Sequence, residues 1–169
     1  MIILIMGPCG AGKSTVGRAL AEALGAHFIE GDDYHSATNI AKMRGGLPLD
    51  DQDRTPWLDA LAAELATAHR DGRSVVLACS ALKQAYRDRL SADVPTGFEI
   101  VLLDAPRELL SARLRARTRH FMSAEMLDSQ LAIFERPRDA FVADARQSSD
   151  AIVGDIMQAL GATLQDGAN

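Results

Sequence analysis

Hydrophobic residues occur along this chain in short runs that alternate with segments of helical periodicity. Five of the runs predict buried β-strands, because they are five or six residues long and are bounded by polar or glycine-containing segments. The predicted strands are residues 2–6, 26–30, 74–78, 98–103 and 140–145.

Between these runs, apolar residues recur at intervals of three and four, which predicts helices. The best marked helix is predicted to begin at Thr55, with Thr55 as N-cap, Pro56 at the first helical position and Leu58 and Leu61 on one face. Further helices are predicted after the first strand and over residues 82–90, 106–117, 124–134 and 149–164. The alternation predicts an α/β fold, with five parallel strands covered by helices on both faces, in one domain of residues 1–169.

The segment between the first strand and the first helix carries the most specific chemistry. Residues 7–14 read GPCGAGKS, which fits the phosphate-binding P-loop pattern G-x-x-x-x-G-K-[ST] in the strand–loop–helix context that the pattern requires. Backbone N–H groups of Gly7, Gly10, Ala11 and Gly12 are candidates for cradling phosphates. Lys13 would reach the β- and γ-phosphates of a nucleotide, and the Ser14 hydroxyl would hold Mg²⁺. The fold predicted here is therefore the three-layer sandwich of P-loop NTPases.

Charge and composition narrow the range of partners. Lys and Arg number 18 against 23 Asp and Glu, so the net charge is −5, which argues against general nucleic-acid binding. No apolar run has the length of a membrane span, and the N-terminus lacks the pattern of a signal peptide. The two cysteines form no metal-binding or disulfide pattern. These features predict a cytoplasmic protein that binds neither membrane nor nucleic acid.

Ligands of open α/β sheets bind beyond the carboxyl ends of the strands, so the segments found there are the candidates for the acceptor site. Asp32 follows the second strand and is a candidate base for a substrate hydroxyl, or alternatively the cap of the next helix. His35 lies one helical turn further on, where a surface histidine is the alternative. Arg54 is suited to bind a carboxylate, unless it pairs with neighbouring aspartates. Lys83 and Arg87 share one helical face, which is either cationic lining of the cleft or solvated surface.

Two further segments bear on which kind of P-loop protein this is, and the first does not support the arrangement of ordinary switches and motors. The third strand ends at Ala78 and Cys79, where many P-loop switches and motors have an acidic helper for Mg²⁺. The fourth strand is followed by a dense group of arginines, and Arg113 and Arg117 share one face. An arginine on a closing segment neutralises charge on a transferring phosphoryl group, and a solvated amphipathic helix is the alternative. These arginines are Arg107, Arg113, Arg115, Arg117 and Arg119.

Behind the P-loop, the segments GDDYH, NIAKMRGGLPLDDQDRTPWL, CSALKQAYRDRL and RHFM closely resemble those of the gluconokinases, small P-loop kinases of the shikimate-kinase and nucleoside-monophosphate-kinase type. The resemblance extends from Met1 to about Pro137. It implies ATP- and Mg²⁺-dependent phosphorylation of D-gluconate at the 6-hydroxyl to 6-phosphogluconate, which serves gluconate utilisation in carbohydrate metabolism. It also implies a cytoplasmic homodimer with a mobile lid at about residues 113–134.

Carried over by position, the resemblance implies that residues 10–15, including Thr15, bind the ATP phosphates and that Asp32 is the base. His35, Arg54, Lys83 and Arg87 would surround the sugar acid, and Arg117, assigned a catalytic role, would lie with His120 in the lid. Arg119 departs from the glycine that the family usually has before this histidine, and the chain departs from the family pattern after Pro137. The alternatives are a related kinase for another sugar acid and a nucleotide-binding switch module without an acceptor.

Overall fold

The structure, a computed structural model, describes residues 1–116 and 124–166. Five strands and seven α-helices occur in these residues, together with one 3₁₀ turn at Gly31–Tyr34. In chain order they are β1 (Ile2–Met6), α1 (Lys13–Leu24), β2 (His27–Glu30), α2 (Ala37–Arg44), α3 (Asp51–Arg70), β3 (Val75–Ala78), α4 (Gln84–Ser91), β4 (Phe98–Asp104), α5 (Arg107–Ala116), α6 (Ala124–Ala132), β5 (Phe141–Asp144) and α7 (Ser149–Asp166).

The strands form one parallel sheet in the order β2-β3-β1-β4-β5. The first strand is central, and the chain crosses from one side of it to the other between β3 and β4. The crevice where strand order reverses is therefore the carboxyl end of β1, from which the P-loop leaves. The α/β fold with five parallel strands is confirmed.

A separate hydrophobic core lies on each face of the sheet. The fold therefore has three layers, with helices on either side of the sheet. Alternate residues of β1 point to opposite faces. Ile2 and Leu4 pack on one face with apolar residues of α3 and α4, whereas Ile3 and Ile5 pack on the other with residues of α1, α5 and α7. Because both faces are covered, the inner strands β1 and β3 are apolar throughout, which is why the sequence shows continuous apolar runs there.

The start of α3 differs from the prediction. The helix begins at Asp51 because Asp50 is its N-cap: the Asp50 side chain accepts from the Asp53 N–H, and the Asp53 side chain accepts from the Asp50 N–H. This reciprocal capping box fixes the helix a full turn before Thr55, whose hydroxyl donates to the Asp51 carbonyl instead. The short helix α2 and the 3₁₀ turn had no predicted counterpart.

The predicted lid and its mobility stay a prediction. Its described parts are the end of α5 and the residues from Ala124 onwards, most of which form α6. Arg117, Arg119 and His120 lie outside the described residues. No helix within the described ranges is long and apolar enough to cross a membrane.

Candidate active site

The P-loop curls between β1 and α1 in a conformation that its glycines permit. Gly10 has φ of 84°, and a Cβ there would lie 2.9 Å from the Leu110 carbonyl oxygen, so only glycine fits without strain. Helix α1 begins directly at Lys13 and directs its N-terminal N–H groups toward the loop. The Lys13 ammonium donates to the Pro8 carbonyl across the loop at 3.1 Å. The loop therefore presents backbone donors and one ammonium to the crevice.

A cavity beside the P-loop brings together several of the predicted site residues. Lys13, Ser14, Asp32, His35 and Arg54 line it, although they come from three separate segments of the chain. The sequence interpretation placed Lys13, Ser14, Asp32 and His35 just after strands, whose carboxyl ends lie side by side at one edge of the parallel sheet, and α3 brings Arg54 to the same space. Its other lining residues are Cys9, Gly10, Gly12, Thr15, Met43, Leu49, Trp57, Ser80, Leu82, Leu114, Met126, Ser129 and Gln130.

Asp32 lies in the 3₁₀ turn that follows β2 and has an exposed side chain at the cavity. Gly31 allows this placement, because a Cβ at Gly31 would meet the Ala78 carbonyl oxygen of β3 at 2.6 Å. The Gly31 carbonyl accepts a 2.7 Å hydrogen bond from the Trp57 indole N–H, which ties the turn to α3. Strand β3 and helix α3 thus fix the backbone at Gly31, and with it the position of the Asp32 carboxylate.

His35 packs against Trp57 instead of standing on the surface. Their rings are stacked with centroids 4.2 Å apart and an interplanar angle of 18°. Burial lowers the pKa of His35 below its ordinary value, and although the Asp32 carboxylate opposes this effect, desolvation is the larger cause. Its Nδ1 is buried and has no partner in the part of the chain that the structure describes. A neutral imidazole at the cavity can exchange hydrogen bonds with hydroxyl groups.

Arg54 belongs to a polar network at the start of α3. Its guanidinium donates to the Tyr86 hydroxyl at 3.3 Å and lies 4.0 Å from the Asp51 carboxylate. Tyr86 also donates to Asp51, and the Lys83 ammonium binds the same carboxylate at 2.7 Å. These donors hold the pKa of Asp51 below its ordinary value, with the Lys83 hydrogen bond as the largest cause. Arg54 faces the cavity, whereas Lys83 supports the network from outside it.

Arg87 is positioned differently from the prediction. Its side chain is 1% exposed, and it donates to the carbonyls of Ala81 and Leu82 at 2.9 and 3.2 Å and to the Gln84 side chain at 2.8 Å. Neither Arg87 nor Lys83 is among the described residues that line the cavity. Lys83 and Arg87 do not share a helical face as predicted, because α4 begins only at Gln84. Lys83 is then its N-cap, and Arg87 turns back under the preceding loop.

Glu30, the last residue of β2, was not singled out from the sequence. Its carboxylate lies near the Ser14 hydroxyl, Asp32 and Lys13, and burial raises its pKa above the ordinary value. No group of three or more His, Cys, Asp or Glu side chains forms a metal cluster within the described ranges. A hydroxyl beside a carboxylate fits Mg²⁺, which keeps several waters and takes few protein ligands when it binds phosphates. The donor set therefore suits a phosphate-bound magnesium ion.

A second groove lies on the other side of the P-loop. Gly12 and Thr15 line it together with Ala145, Gln147 and Ser148 from the loop after β5. Arg113 connects the P-loop with the loop after β5, because its guanidinium donates to the Ala11 carbonyl at 3.5 Å and to the Ala145 carbonyl at 2.7 Å. The P-loop, whose N–H groups suit phosphate, thus has a space on each side. A phosphoryl donor and a phosphoryl acceptor would need two such spaces.

Comparison with known proteins gives consistent similarities. A sequence profile described as "AAA domain" matches residues 2–137. A probable gluconokinase of Rattus norvegicus is 46% identical over 153 residues, which cover 80% of this chain and 83% of that protein. A gluconokinase of Arabidopsis thaliana is 37% identical, with 96% of this chain and 94% of that protein covered. The crystal structure of a gluconokinase from Sinorhizobium meliloti 1021 is 41% identical and has a TM-score of 0.88, with 97% and 93% covered.

Proposed function

The chain belongs to the gluconokinase family, and from that membership we propose that it transfers the γ-phosphoryl group of ATP to the 6-hydroxyl of D-gluconate. The observation that carries this proposal is the cavity in which Asp32, His35 and Arg54 face Lys13 of the P-loop. A phosphate-binding loop that opposes a carboxylate, an imidazole and a guanidinium fits transfer to an anionic polyol.

On the acceptor side, each polar side chain has a function that its surroundings favour. Arg54 is held in place through Tyr86 and Asp51, so its guanidinium is preorganised for the carboxylate of a sugar acid. His35 is neutral and half-buried, which suits hydrogen bonds to hydroxyls rather than charge pairing. The Asp32 carboxylate accepts the proton of the reacting hydroxyl and orients its oxygen toward the phosphoryl group.

On the donor side, the P-loop amides and Lys13 bind the phosphates, and the groove of Ala145, Gln147 and Ser148 receives the rest of the nucleotide. Ser14 and the adjoining Glu30 would hold Mg²⁺. When bound, Mg²⁺ neutralises phosphate charge that would otherwise repel the incoming hydroxyl. The chain contributes mainly position and charge, which is what phosphoryl transfer demands of a protein.

The two site residues assigned to the lid, Arg117 and His120, remain part of the proposal as residues that would close over the phosphoryl group. Closure would exclude water and so limit hydrolysis of ATP. The homodimer and the cytoplasmic location are likewise proposals from the family resemblance, which light scattering and cell fractionation would test.

The test is incubation of the purified protein with ATP, Mg²⁺ and D-gluconate, followed by ³¹P NMR of the product. We expect ADP and one new phosphomonoester coupled to the protons of carbon six. A panel of other aldonates and shikimate, assayed by ADP release, measures selectivity for the acceptor. Nucleotide binding without a phosphorylated acceptor anywhere in the panel would contradict the proposal and favour a binding module.

A further inference from the structure

Gln130 of α6 contacts the P-loop although 121 residues separate it from Cys9. The Cys9 backbone N–H donates to Gln130 Oε1 at 2.7 Å in a buried hydrogen bond. The Gln130 side chain is 8% exposed and lines the cavity beside Lys13 and Ser14. A buried carboxamide at a phosphate-binding loop is a costly group to place there unless both of its ends are used.

The hydrogen bond to Cys9 fixes which way the carboxamide points. A backbone N–H requires an acceptor, so the oxygen must face the P-loop and the Nε2 group, with its two N–H donors, must point away from it. Gln130 Nε2 donates to no acceptor among the described residues. It is also not one of the fully buried side-chain atoms in these ranges that lack a partner, which are His35 Nδ1 and Arg87 Nε. The Nε2 group is therefore open to the cavity that Gln130 lines.

We infer that Gln130 acts on both sides of the phosphoryl site. Its oxygen positions the P-loop at Cys9, and its Nε2 donates a hydrogen bond to an oxygen of the terminal phosphoryl group bound in the cavity. The inference rests on the nucleotide site of the proposed function and adds to it a neutral donor from α6. A hydrogen bond to a charged oxygen in such a site is worth about 10-fold in affinity.

Two variants separate the two halves of this inference. Gln130→Glu keeps an oxygen for the Cys9 N–H but replaces the Nε2 donor with a second oxygen. Gln130→Met has similar length and removes both functions. Gln158→Glu, an exposed position on α7, makes the same chemical change away from the site and is the matched control.

Two measurements read the halves independently of turnover. Amide hydrogen exchange at Cys9, without nucleotide, reports the bond to the P-loop. Calorimetric affinities for the triphosphate analogue AMP-PNP and for ADP, both with Mg²⁺, report the donor. In Gln130→Glu we expect Cys9 protection to be retained and AMP-PNP affinity to fall by ~10-fold or more, with ADP affinity changed by less than ~3-fold. In Gln130→Met we expect Cys9 protection to be lost as well.

Wild-type affinity for AMP-PNP in Gln130→Glu would overturn the inference, as would retained Cys9 protection in Gln130→Met. Equal losses for AMP-PNP and ADP with a lowered melting temperature would show a purely structural residue and would overturn it too. Failure of the proposed function is distinguishable, since the wild-type protein would then bind AMP-PNP normally but not phosphorylate gluconate, or would bind no nucleotide at all.

Discussion

At the scale of single residues, environment assigns different tasks to side chains that share one cavity. Asp32 is exposed at the cavity and available for proton transfer, whereas Glu30, two residues earlier, is partly buried against Ser14 and has a raised pKa. His35 is held neutral by burial against Trp57. In the proposed mechanism, these neighbouring carboxylates of similar intrinsic acidity would therefore serve the acceptor hydroxyl and the metal side respectively.

The role proposed for Asp32 predicts a selective loss of turnover. Asp32→Asn is expected to lower kcat by ~100-fold or more, in the range of general-base catalysis, while leaving the affinity for ATP largely intact. Steady-state kinetics with calorimetric nucleotide binding measure both. Asp33→Asn, at the exposed neighbouring position, is the matched control and should retain activity. Unchanged turnover in Asp32→Asn would remove this residue from the mechanism.

The lowered pKa of His35 predicts a dependence of stability on pH. The unfolded chain titrates near the ordinary value of 6.5, whereas the folded protein binds this proton only at lower pH. Unfolded protein therefore binds more protons below pH 6.5, and the free energy of unfolding should decrease as pH falls through that window. Urea denaturation between pH 7.5 and 5.5 measures the slope, which should be smaller in His35→Gln. An equal slope in both proteins would contradict a buried neutral His35.

At the scale of elements, the loop between β3 and α4 depends on a buried guanidinium. Ala81 in this loop has φ of +43°, a conformation that residues with a Cβ rarely adopt, and it is fully buried. Arg87 holds the carbonyls of Ala81 and Leu82, and the Leu82 carbonyl also accepts from the Glu135 N–H at 2.9 Å. Ser80 and Leu82 of this loop line the cavity, so Arg87 supports the site through the loop.

This arrangement predicts that Arg87→Met destabilises the fold by about 2 kcal/mol or more, because the buried Ala81 carbonyl loses its donor and the Leu82 carbonyl keeps only the Glu135 N–H. Urea denaturation checks the magnitude. Arg89→Met is the control on the same helix, where an exposed arginine pairs with Asp59 and the loss of stability should be much smaller because solvent screens the pair. If Arg87→Met kept wild-type stability and raised only the KM for gluconate, direct substrate binding by Arg87 would be restored.

At the scale of the whole molecule, the cavity is assembled from segments that only the complete sheet brings together. Nucleotide and acceptor bind folded protein alone under this arrangement, so they should stabilise it by mass action. AMP-PNP with Mg²⁺ at 100 times its dissociation constant is expected to add about 2.7 kcal/mol to the free energy of unfolding. Thermal denaturation with and without D-gluconate would detect a further increase. Lys13→Ala should abolish the nucleotide-dependent part, and a full response in that variant would contradict the P-loop assignment.

The sequence by itself determined the architecture and the chemical class of this protein. The informative patterns were local: apolar runs of strand length, helical periodicity between them and a P-loop at a strand–helix junction. Local patterns can be recognised from the sequence alone. The same holds for Asp32 and His35, since the carboxyl ends of parallel strands must share one edge of a sheet, whereas Arg54 reaches the cavity from α3.

Only the tertiary structure decided what each polar group contacts. Asp50 starts α3 a turn before Thr55 through a reciprocal cap, Arg87 is turned under a loop, and Gln130 reaches Cys9 across 121 residues. Such contacts depend on side-chain direction and on the packing of distant segments, which no periodicity records. The physical reason is that burial and hydrogen-bond satisfaction are properties of the folded surroundings, and these are complete only when all layers are in place.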